Sequence, residues 1–472
     1  MSDQIRRDPG SFRDPSGYVF IDEEDVWRSV NPAAMEAFKA VLATGALASL
    51  GERGLLLRSD PRELDSRGGA RFAGPRGEVP AMVIKHPRVP MISYPFEWTF
   101  SQLKDAALAH LDLQIAAFDL GLVLSDATPY NMQFFEGRVV HIDVLSLRPY
   151  RPGEIWVGYN QFTRLFLLPL LLEAWRGVPF QAMLRGQTDG MTLVDAVKLL
   201  PFTKRYLSLS GLMHVTLQER ASRGRSSTGN ATAGRHVTLP ANRFRAMLSE
   251  MRAFVATLQS ARRAPTFWSA YAHVNTYSSE MQSVKSAFVQ DLVRRNQIRS
   301  LWDIGGNTGD YAAAALAAGA EHAVVLDGDL DSLEQAYSRR LQGHPNLLPL
   351  FMDCADPTPS QGWDEAERRG LKARARIDAV LGLAVVHHMA IGRNIPLRAV
   401  VDWFVDLAPH GIIEFVPKSD PMVRQMLQHR DDVFLDYDEA TFRSYLGARA
   451  QTTAEHRFAE NDRVLISYTR TN

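Results

Sequence analysis

One short stretch of the chain combines an acid with closely spaced glycines between an apolar segment and an alanine-rich segment. The stretch is DIGGNTGDY at 303–311, and its residues of interest are Asp303, Gly305, Gly306, Asn307 and Gly309. Glycines at a strand-to-helix turn let the backbone approach a ligand without a Cβ clash. The dinucleotide fingerprint G-x-G-x-x-G is not present, because here an acid precedes the glycines. The stretch therefore predicts a nucleotide-type site that differs from that of dinucleotide enzymes.

Further acids follow apolar runs along the chain, where strands are expected to end. HAVVLDGD carries Asp327, eighteen residues after Gly309, and LLPLFMD carries Asp353. The Asp327 carboxylate can accept hydrogen bonds from both hydroxyls of a ribose, as acids at this position do in Rossmann-like folds. Asp329 competes for the same role. Each acid alone can equally cap a helix or a turn, but their joint order at successive strand ends favours ligand binding.

The acid, the glycines and the strand-end acids together resemble the class I S-adenosylmethionine-dependent methyltransferases, which have a seven-stranded Rossmann-like sheet. The resemblance implies that Asp303 lies near the methionine part of the cofactor and that the glycine backbone faces the ligand. It also implies that Asp353 contacts the adenine amino group. IDAVLGLAVVHHM at 377–389 resembles the fourth strand of that family, whose end faces the transferred methyl group. S-adenosyl-L-methionine is therefore the expected cofactor.

Candidate catalytic residues end the predicted fourth and fifth strands. His387 and His388 end the fourth, and an imidazole can act as a general base near neutral pH. Histidines at this place in the superfamily also often only shape the pocket. Glu414, in GIIEFVP, is a candidate for holding the acceptor, with a salt bridge or a helix cap as the alternative. Adjacent histidines are a poor metal pair without further ligands nearby in sequence, so no metal is expected.

The N-terminal part carries a second candidate site in the segment SDATPYNMQFFEGRVVHIDVLSL at 125–147. Four residues separate Asp126 from Asn131, and Asp143 follows at a predicted strand end. This spacing resembles the catalytic loop and metal-binding aspartate of the protein-kinase-like and aminoglycoside-phosphotransferase superfamily. The resemblance implies that Asp126 positions a substrate hydroxyl, whereas Asn131 and Asp143 hold magnesium beside ATP.

The same resemblance extends to a predicted strand earlier in the chain. Lys85 in AMVIKH would contact the ATP phosphates, and Glu97 in YPFEW would be its helix partner. Three departures oppose this interpretation. No His-Arg or His-Gly precedes Asp126, no glycine follows Asp143, and no well-ordered glycine-rich loop precedes Lys85. An ordinary strand-turn-strand hairpin, in which Asp and Asn satisfy turn backbone groups, is the alternative.

Both halves together resemble a group of bacterial two-part proteins that includes nodulation-associated methyltransferase-like proteins. The shared pattern is YP-x-EW at 94–98, DA-x-x-YN at 126–131 and then the motif that begins at Asp303. Three functions remain open at this point. They are a methyltransferase acting on a small metabolite or glycan, a bifunctional protein whose N-terminal module also binds ATP, and a non-catalytic binding protein.

The elements that must position these residues divide into an N-terminal module, 1–220, and a methyltransferase domain, 301–472. Between them, 221–236 is rich in Ser, Gly, Thr, Ala and Arg and predicts a flexible linker, and 237–300 predicts a helical lead-in. Strands and helices alternate after 301, which predicts a parallel sheet covered on both faces. The expected fold class is α/β, with a Rossmann-like domain preceded by an α+β module of kinase-like type.

Two local signals place elements within the N-terminal module. Thr99 and Gln102 have the spacing of a capping box, which predicts that a long helix over 99–121 begins there. EGR at 136–138 predicts the turn between two strands.

Composition limits the classes of function. Basic and acidic residues number 53 each, so no strong net field attracts nucleic acid or an anionic membrane. The single cysteine excludes an intrachain disulfide and a thiolate zinc site. The most apolar run, LFLLPLLL at 165–172, is far shorter than the roughly 20 residues of a membrane span, and the polar N-terminus does not resemble a signal peptide. We expect a cytoplasmic enzyme with a small-molecule or glycan acceptor and no nucleic-acid or membrane partner, in an oligomeric state that the sequence leaves open.

Overall fold

The computed structural model describes residues 5–219, 238–262 and 279–471, apart from residues 23, 24, 76, 208 and 429. The chain forms two units. The first comprises Met1–Arg263 together with Gln361–Arg368, and the second comprises Ala264–Ser360 together with Arg369–Asn472. The predicted linker at 221–236 lies outside the described residues. Within the described part of the predicted helical lead-in, 237–300, one helix belongs to each unit.

The first unit is built from antiparallel strands and short helices. Its strands are β1 (Arg6–Arg7), β2 (Val19–Ile21), β3 (Asp25–Val30), β4 (Asp60–Glu63), β5 (Met82–Pro87), β6 (Leu122–Leu124), β7 (Met132–Phe135), β8 (Arg138–His141) and β9 (Leu147–Pro149). Five of them form one antiparallel sheet in the order β1-β2-β3-β5-β4, while β6 pairs with β9 and β7 with β8. The predicted turn between β7 and β8 is confirmed, with Glu136 and Gly137 at φ of 49° and 73°. Two positive φ values are the geometry that a two-residue hairpin turn prefers.

The helices of the first unit are α1 (Pro32–Ala43), α2 (Ala46–Glu52), α3 (Ser66–Ala70), α4 (Phe100–Asp119), α5 (Tyr159–Phe162), α6 (Leu168–Arg176), α7 (Gln181–Gly186), α8 (Leu193–Leu199), α9 (Phe202–Leu207), α10 (Leu209–Gly211) and α11 (Ala241–Thr257). The longest helix of the first unit is α4, and α2, α6 and α11 pack on it. The predicted capping box of α4 is confirmed, because the Gln102 N–H donates to Thr99 Oγ1 at 3.3 Å and the Thr99 N–H donates to Gln102 Oε1 at 2.9 Å. Helix α11 packs on α4, with Phe244 stacked on Phe118 at 4.9 Å between ring centroids.

In the part of the chain that the structure describes, no single helix is long and apolar enough to cross a bilayer. Helices α1 and α2 pass that test of length and composition only when they are counted together across a 64° bend.

The second unit is a twisted sheet covered by helices, as the alternation of apolar segments predicts. Its strands are β10 (Ser300–Ile304), β11 (His322–Asp327), β12 (Leu347–Phe351), β13 (Ala379–Gly382), β14 (His410–Phe415), β15 (Ala450–Arg457) and β16 (Val464–Arg470). Its helices are α12 (Ser279–Asn296), α13 (Asp310–Ala317), α14 (Leu330–Ser338), α15 (Leu371–Arg374), α16 (Leu397–Leu407), α17 (Pro421–Leu427) and α18 (Glu439–Gly447). The protein is therefore of mixed α/β class.

The strand order of this sheet decides where a ligand can bind. The order is β12-β11-β10-β13-β14-β16-β15. Strands β10 to β14 pair in parallel, whereas β16 pairs antiparallel with both β14 and β15. From β10 the chain continues outward to β11 and then β12 on one side of the sheet. From β13 it continues to β14 on the other side, so the direction of winding reverses between β10 and β13. Such a switch point opens a crevice outside the carboxyl ends of the strands. Buried side chains of the central strands, among them Leu301, Val325 and Leu381, pack against Leu292 of α12 and hold this edge in place.

Candidate functional site

A cavity of about 600 Å³ lies at the carboxyl ends of β10, β11, β12 and β13 in the second unit. Its walls come from the segments that follow each of these strands, at the switch point of the sheet. Most of the residues predicted for the methyltransferase site line it, namely Asp303, Gly305, Gly306, Asn307, Asp327, Asp329, Asp353, His387 and His388. Gly309 and Glu414 lie outside the lining. The sequence therefore predicted most of the wall of one real cavity.

The turn after β10 requires glycine for reasons of backbone geometry and space. Gly305 and Gly309 have φ values of 69° and 77°, in the left-handed region that other residues rarely adopt. A Cβ on Gly306 would lie 2.7 Å from Asp303 Cγ, which is closer than real contacts allow. Gly309 is the N-cap of α13, so that helix begins directly behind the loop.

Asp303 is the most unusual group in the cavity wall. Asp303 is only 1% exposed, and neither of its carboxylate oxygens has a hydrogen-bond partner of normal geometry. Burial, followed by the negative charges of Asp327 and Asp310, raises the pKa of Asp303 to about 8. Because buried polar groups are nearly always hydrogen-bonded, a carboxyl in this position is suited to accept from a donor that enters the cavity, either a ligand or water. An ammonium group fits this requirement in both charge and hydrogen bonding.

Asp327 and Asp329 have different surroundings, although only one residue separates them. Asp327 accepts the backbone N–H of Asn307 on Oδ2 and that of Asp329 on Oδ1, both at 2.8 Å, and burial raises its pKa. Each carboxylate oxygen has a second lone pair, so Asp327 can also accept from a ligand. Asp329 is the N-cap of α14 and accepts from the Asp331 N–H at 3.0 Å and from Ser332 Oγ at 2.9 Å. The geometry favours Asp327 for the ligand and Asp329 for the helix.

Asp353 stands at the end of the cavity that β12 forms. It accepts the backbone N–H of Ala355 at 2.9 Å and forms an ion pair with Arg393. The neighbouring residue Cys354 is half-buried, and desolvation raises the pKa of its thiol to about 12. This end of the cavity therefore combines a carboxylate with a neutral thiol.

The two histidines lie on the opposite side of β10 from Asp327, in the segment after β13. A π-helical turn, His388–Gly392, begins at the second of them, and such turns are frequent at functional sites. The ring centroids of His387 and His388 are 4.1 Å apart. Burial lowers the pKa of His388 to about 4, and that of His387 well below 6.5, with the positive charge of Arg463 adding to both effects. Both imidazoles are therefore neutral at pH 7.

Glu414 forms a buried salt bridge, which the sequence analysis gave as an alternative to holding the acceptor. Its side chain is fully buried, and Oε2 accepts from Lys285 Nζ at 2.7 Å. A second buried pair lies beside it, with Arg463 Nε donating to Asp420 Oδ2 at 2.7 Å. Arg463 Nη1 is 3.6 Å from Glu414 Oε1, which joins the two pairs into one ionic cluster.

The cations of this cluster were missed by the sequence analysis, although both line the cavity. Lys285 had a signal that could have revealed it. It occupies the apolar stripe of α12 between Met281 and Val289, four residues from each, and all three side chains are buried. A lysine on such a stripe is rarely buried unless it is paired. Arg463 sits in the loop before β16, where no periodicity marks it.

In the first unit, the structure brings together the three residues predicted to form the phosphotransferase-like loop. Asn131 Nδ2 donates to Asp126 Oδ2 at 2.9 Å, and Asp143 Oδ1 is 3.3 Å from Arg28 Nη2. Burial, followed by the negative charge of Asp143, raises the pKa of Asp126 to about 7. Among the described residues, no group of three or more His, Cys, Asp or Glu side chains is arranged to hold a metal ion.

The predicted pairing of Lys85 with Glu97 is wrong. Lys85 lies on β5 as expected, but its Nζ is 2.6 Å from Asp25 Oδ2 on the adjacent strand β3. Glu97 ends a 3₁₀ turn instead of lying on a helix facing β5. Its side chain accepts the Tyr94 N–H at 2.9 Å and so satisfies the start of its own turn. The Glu97 carboxylate thus satisfies a backbone N–H of its own turn instead of pairing with a distant charge.

Comparison with known proteins found one full-length relative. The chain is 40% identical over 463 residues to nodulation protein NoeA of Rhizobium meliloti (strain 1021), which covers 98% of this chain and 95% of the relative. The chain belongs to the NoeA family. No family model matches it.

Solved structures similar to part of the chain include methyltransferases. They include the N-methyltransferase NodS of Bradyrhizobium japonicum WM9 in complex with S-adenosyl-L-homocysteine, at 12% identity over 42% of this chain and 90% of that chain, with a TM-score of 0.31. A SAM-dependent methyltransferase of Aquifex aeolicus matches at 11% identity over 44% of this chain and 100% of that chain, also with a TM-score of 0.31. The site itself, with Asp303 at its centre, has to carry the functional argument.

Proposed function

We propose that this NoeA-family protein is an S-adenosylmethionine-dependent methyltransferase that acts on a small metabolite or glycan. The observation that carries the proposal is Asp303, a buried carboxyl that lines the cavity and lacks a partner of normal geometry. The methionine part of S-adenosylmethionine carries an ammonium group, which is the donor that such a carboxyl lacks. Since the relative NoeA is named a nodulation protein, we place the methyl transfer in nodulation. A single cysteine, Cys354, is in keeping with the cytoplasmic location that we also propose.

Asp303 and the residues around it would each contact a different part of the cofactor. Asp303 would receive the ammonium, and the backbone of Gly305 and Gly306 would lie against the ligand without side chains to obstruct it. Asp327 would accept the ribose hydroxyls through its remaining lone pairs, and Asp353 would face the adenine amino group. S-adenosylmethionine would supply an electrophilic methyl group on a sulfonium. An oxygen, nitrogen or carbon atom of the acceptor would bond to the methyl carbon as the methyl–sulfur bond breaks, S-adenosylhomocysteine would leave, and the acceptor would lose a proton.

His387 and His388 are the groups nearest to the acceptor side that can accept that proton. Both are neutral at pH 7 because their pKa values are lowered, so a proton-accepting nitrogen is available at every physiological pH. Their low basicity suits them better to orienting the acceptor than to removing a proton from a strongly basic group. Glu414, fully buried behind Lys285, would act through that lysine instead of touching the acceptor.

Calorimetric titration with S-adenosyl-L-homocysteine tests the proposal. We expect micromolar binding to the whole protein and a large loss of affinity in Asp303→Asn. Arg299→Met is the matched control, because Arg299 lies in an exposed ion pair with Glu321 at the opposite end of β10. The absence of heat at millimolar S-adenosylhomocysteine would rule the methyltransferase out. Binding without transfer of a labelled methyl group to any component of a cell extract would leave a non-catalytic binding protein.

A second activity, binding of ATP and magnesium by the first unit, is favoured by the convergence of Asp126, Asn131 and Asp143. The wrong pairing of Lys85 and Glu97 counts against it. Thermal unfolding with and without magnesium-ATP decides between these interpretations. Stabilisation that disappears in Asp143→Asn supports the second activity, and equal melting temperatures with and without the nucleotide rule it out.

A further inference from the structure

The charges of the buried ionic cluster are not distributed evenly around the cavity. Lys285 and Arg463 line the cavity, whereas their partners Glu414 and Asp420 do not. All four residues are at most 3% exposed and so are shielded from bulk water. The cations therefore face the ligand space and the carboxylates stand behind them.

The cluster lies at the acceptor end of the cavity. Glu414 belongs to β14 and Arg463 directly precedes β16, the strands beyond β13 in the sheet order. Asp327 and Asp353 belong to the other end, at β11 and β12. The charges that most affect Asp303 are those of Asp327 and Asp310, whereas Lys285 and Arg463 act on His387. The cations thus lie toward the histidines and away from the proposed ammonium site.

His387 gives an independent indication that this end binds a ligand. It is 2% exposed, lines the cavity, and its Nδ1 has no hydrogen-bond partner. Burial and the nearby positive charges keep the ring neutral. The charged groups that line this end are therefore two cations, beside neutral imidazoles, and their paired carboxylates stand outside the lining, an arrangement that favours anions over protonated amines.

Buried ion pairs are also a costly way to stabilise a fold. Removing two charges from water costs several kcal/mol per ion in general, and well-packed apolar residues often stabilise a core equally well. Two such pairs joined at one cavity wall are therefore better explained by recognition than by stability. A carboxylate behind each cation also fixes its side chain in position before a ligand arrives.

We infer that Lys285 and Arg463 form a subsite for an anionic group, a carboxylate or phosphate, of the methyl acceptor. This inference rests on the proposed methyltransferase function and narrows its acceptor to an anionic metabolite or glycan. Charge-assisted hydrogen bonds from an ammonium and a guanidinium suit both oxyanions. The chemistry has two sources, the acceptor and the carboxylate of the cofactor's own methionine part, and the position of the cations near His387 favours the acceptor.

The experiment uses the whole protein saturated with S-adenosylhomocysteine and titrated by calorimetry with inorganic phosphate and, separately, with acetate at constant ionic strength. We expect millimolar binding of at least one of these anions. The test variants are Lys285→Met combined with Glu414→Gln, and Arg463→Met combined with Asp420→Asn. Each removes a pair together, so that no buried charge is left alone, and asparagine can still cap α17. Arg299→Met again serves as the control.

The expected result is at least a tenfold loss of anion affinity in each double variant, with S-adenosylhomocysteine affinity within about twofold of the original. Failure of the original complex to bind either anion would overturn the inference. So would a tenfold loss of S-adenosylhomocysteine affinity with unchanged affinity for 5′-methylthioadenosine, since that ligand lacks the amino-acid part and the cations would then hold the cofactor's carboxylate. If S-adenosylhomocysteine does not bind the original protein at all, it is the proposed function that fails.

Discussion

Asp126 in the first unit and Asp303 in the second are both buried acids with strongly raised pKa values, about 7 and about 8. The two acids differ in their hydrogen-bond partners and in their location. Asp126 receives a hydrogen bond from Asn131 and shares its surroundings with Asp143, which Arg28 pairs. Asp303 has no partner of normal geometry and lines a cavity. Oδ1 of Asp126 is also buried without a hydrogen-bond partner, so neither a raised pKa nor an unpartnered oxygen marks a binding site by itself, whereas the position of Asp303 in a cavity wall favours ligand binding there.

The largest expected effect comes from Asp303→Asn, which would break this comparison if it had no effect. Truncating one partner of a buried charge pair costs roughly 2–5 kcal/mol, so the affinity for S-adenosylhomocysteine should fall by about 30-fold to several thousandfold. The matched variant Asp126→Asn should leave that affinity unchanged. Calorimetric titration of both variants measures the difference. Similar losses in the two variants would mean that Asp303 has no special role.

A smaller effect is expected at Asp327. Asp327→Asn keeps the shape but loses a charge-assisted hydrogen bond to the ribose, worth about 1.5–3 kcal/mol, so affinity should fall by roughly ten- to a hundredfold. Asp329→Asn should change affinity less, because asparagine can still cap α14. Dissociation constants for S-adenosylhomocysteine give the order directly. The reverse order would assign the ribose to Asp329.

The pH dependence of binding sharpens the comparison further. Because the pKa of Asp303 is about 8 in the free protein, the carboxyl is mostly protonated at pH 7 and must release that proton to receive an ammonium. Affinity should therefore weaken as pH falls below about 8, by at most about tenfold per pH unit. Titrations at pH 6, 7 and 8 should show this trend in the original protein and a flat profile in Asp303→Asn. A flat profile in the original protein would contradict it.

The smallest effect concerns stability in the first unit. The folded pKa of Asp126 is raised, so the folded protein holds a proton that the unfolded chain releases, and stability is lost as pH rises from about 4 through about 7. Asp126→Asn cannot titrate and should lose less stability over that range. Urea unfolding at pH 5 and pH 8 compares the two proteins. A larger loss in the variant would show that the ionised carboxylate is the stabilising form.

The sequence predicted the site best where apolar runs end in acids or glycines. Strands β10, β11 and β12 are continuous apolar segments, so the positions of Asp303, Asp327 and Asp353 followed from them. Strand β15 gave no such signal, because it lies at the edge of the sheet and most of its side chains face solvent. Edge strands need little apolar surface.

Pairings across elements were harder to predict. Lys85 meets Asp25 because β3 and β5 are neighbours, and neither residue's local sequence specifies that neighbour. Lys285 and Glu414 are separated by 129 positions and meet only when α12 packs on the sheet. Local patterns specify elements and their ends, whereas charge partners depend on the assembled fold.

The short segment Gln361–Arg368 belongs to the first unit although the chain on both sides of it belongs to the second. Glu367 pairs with Arg13 at 3.3 Å, and the Arg368 guanidinium lies over the Tyr130 ring at 4.2 Å. A gene fragment that ends at Arg263 would therefore encode a first unit without one of its own parts. A fragment meant to provide the complete first unit therefore has to supply Gln361–Arg368 in addition to Met1–Arg263.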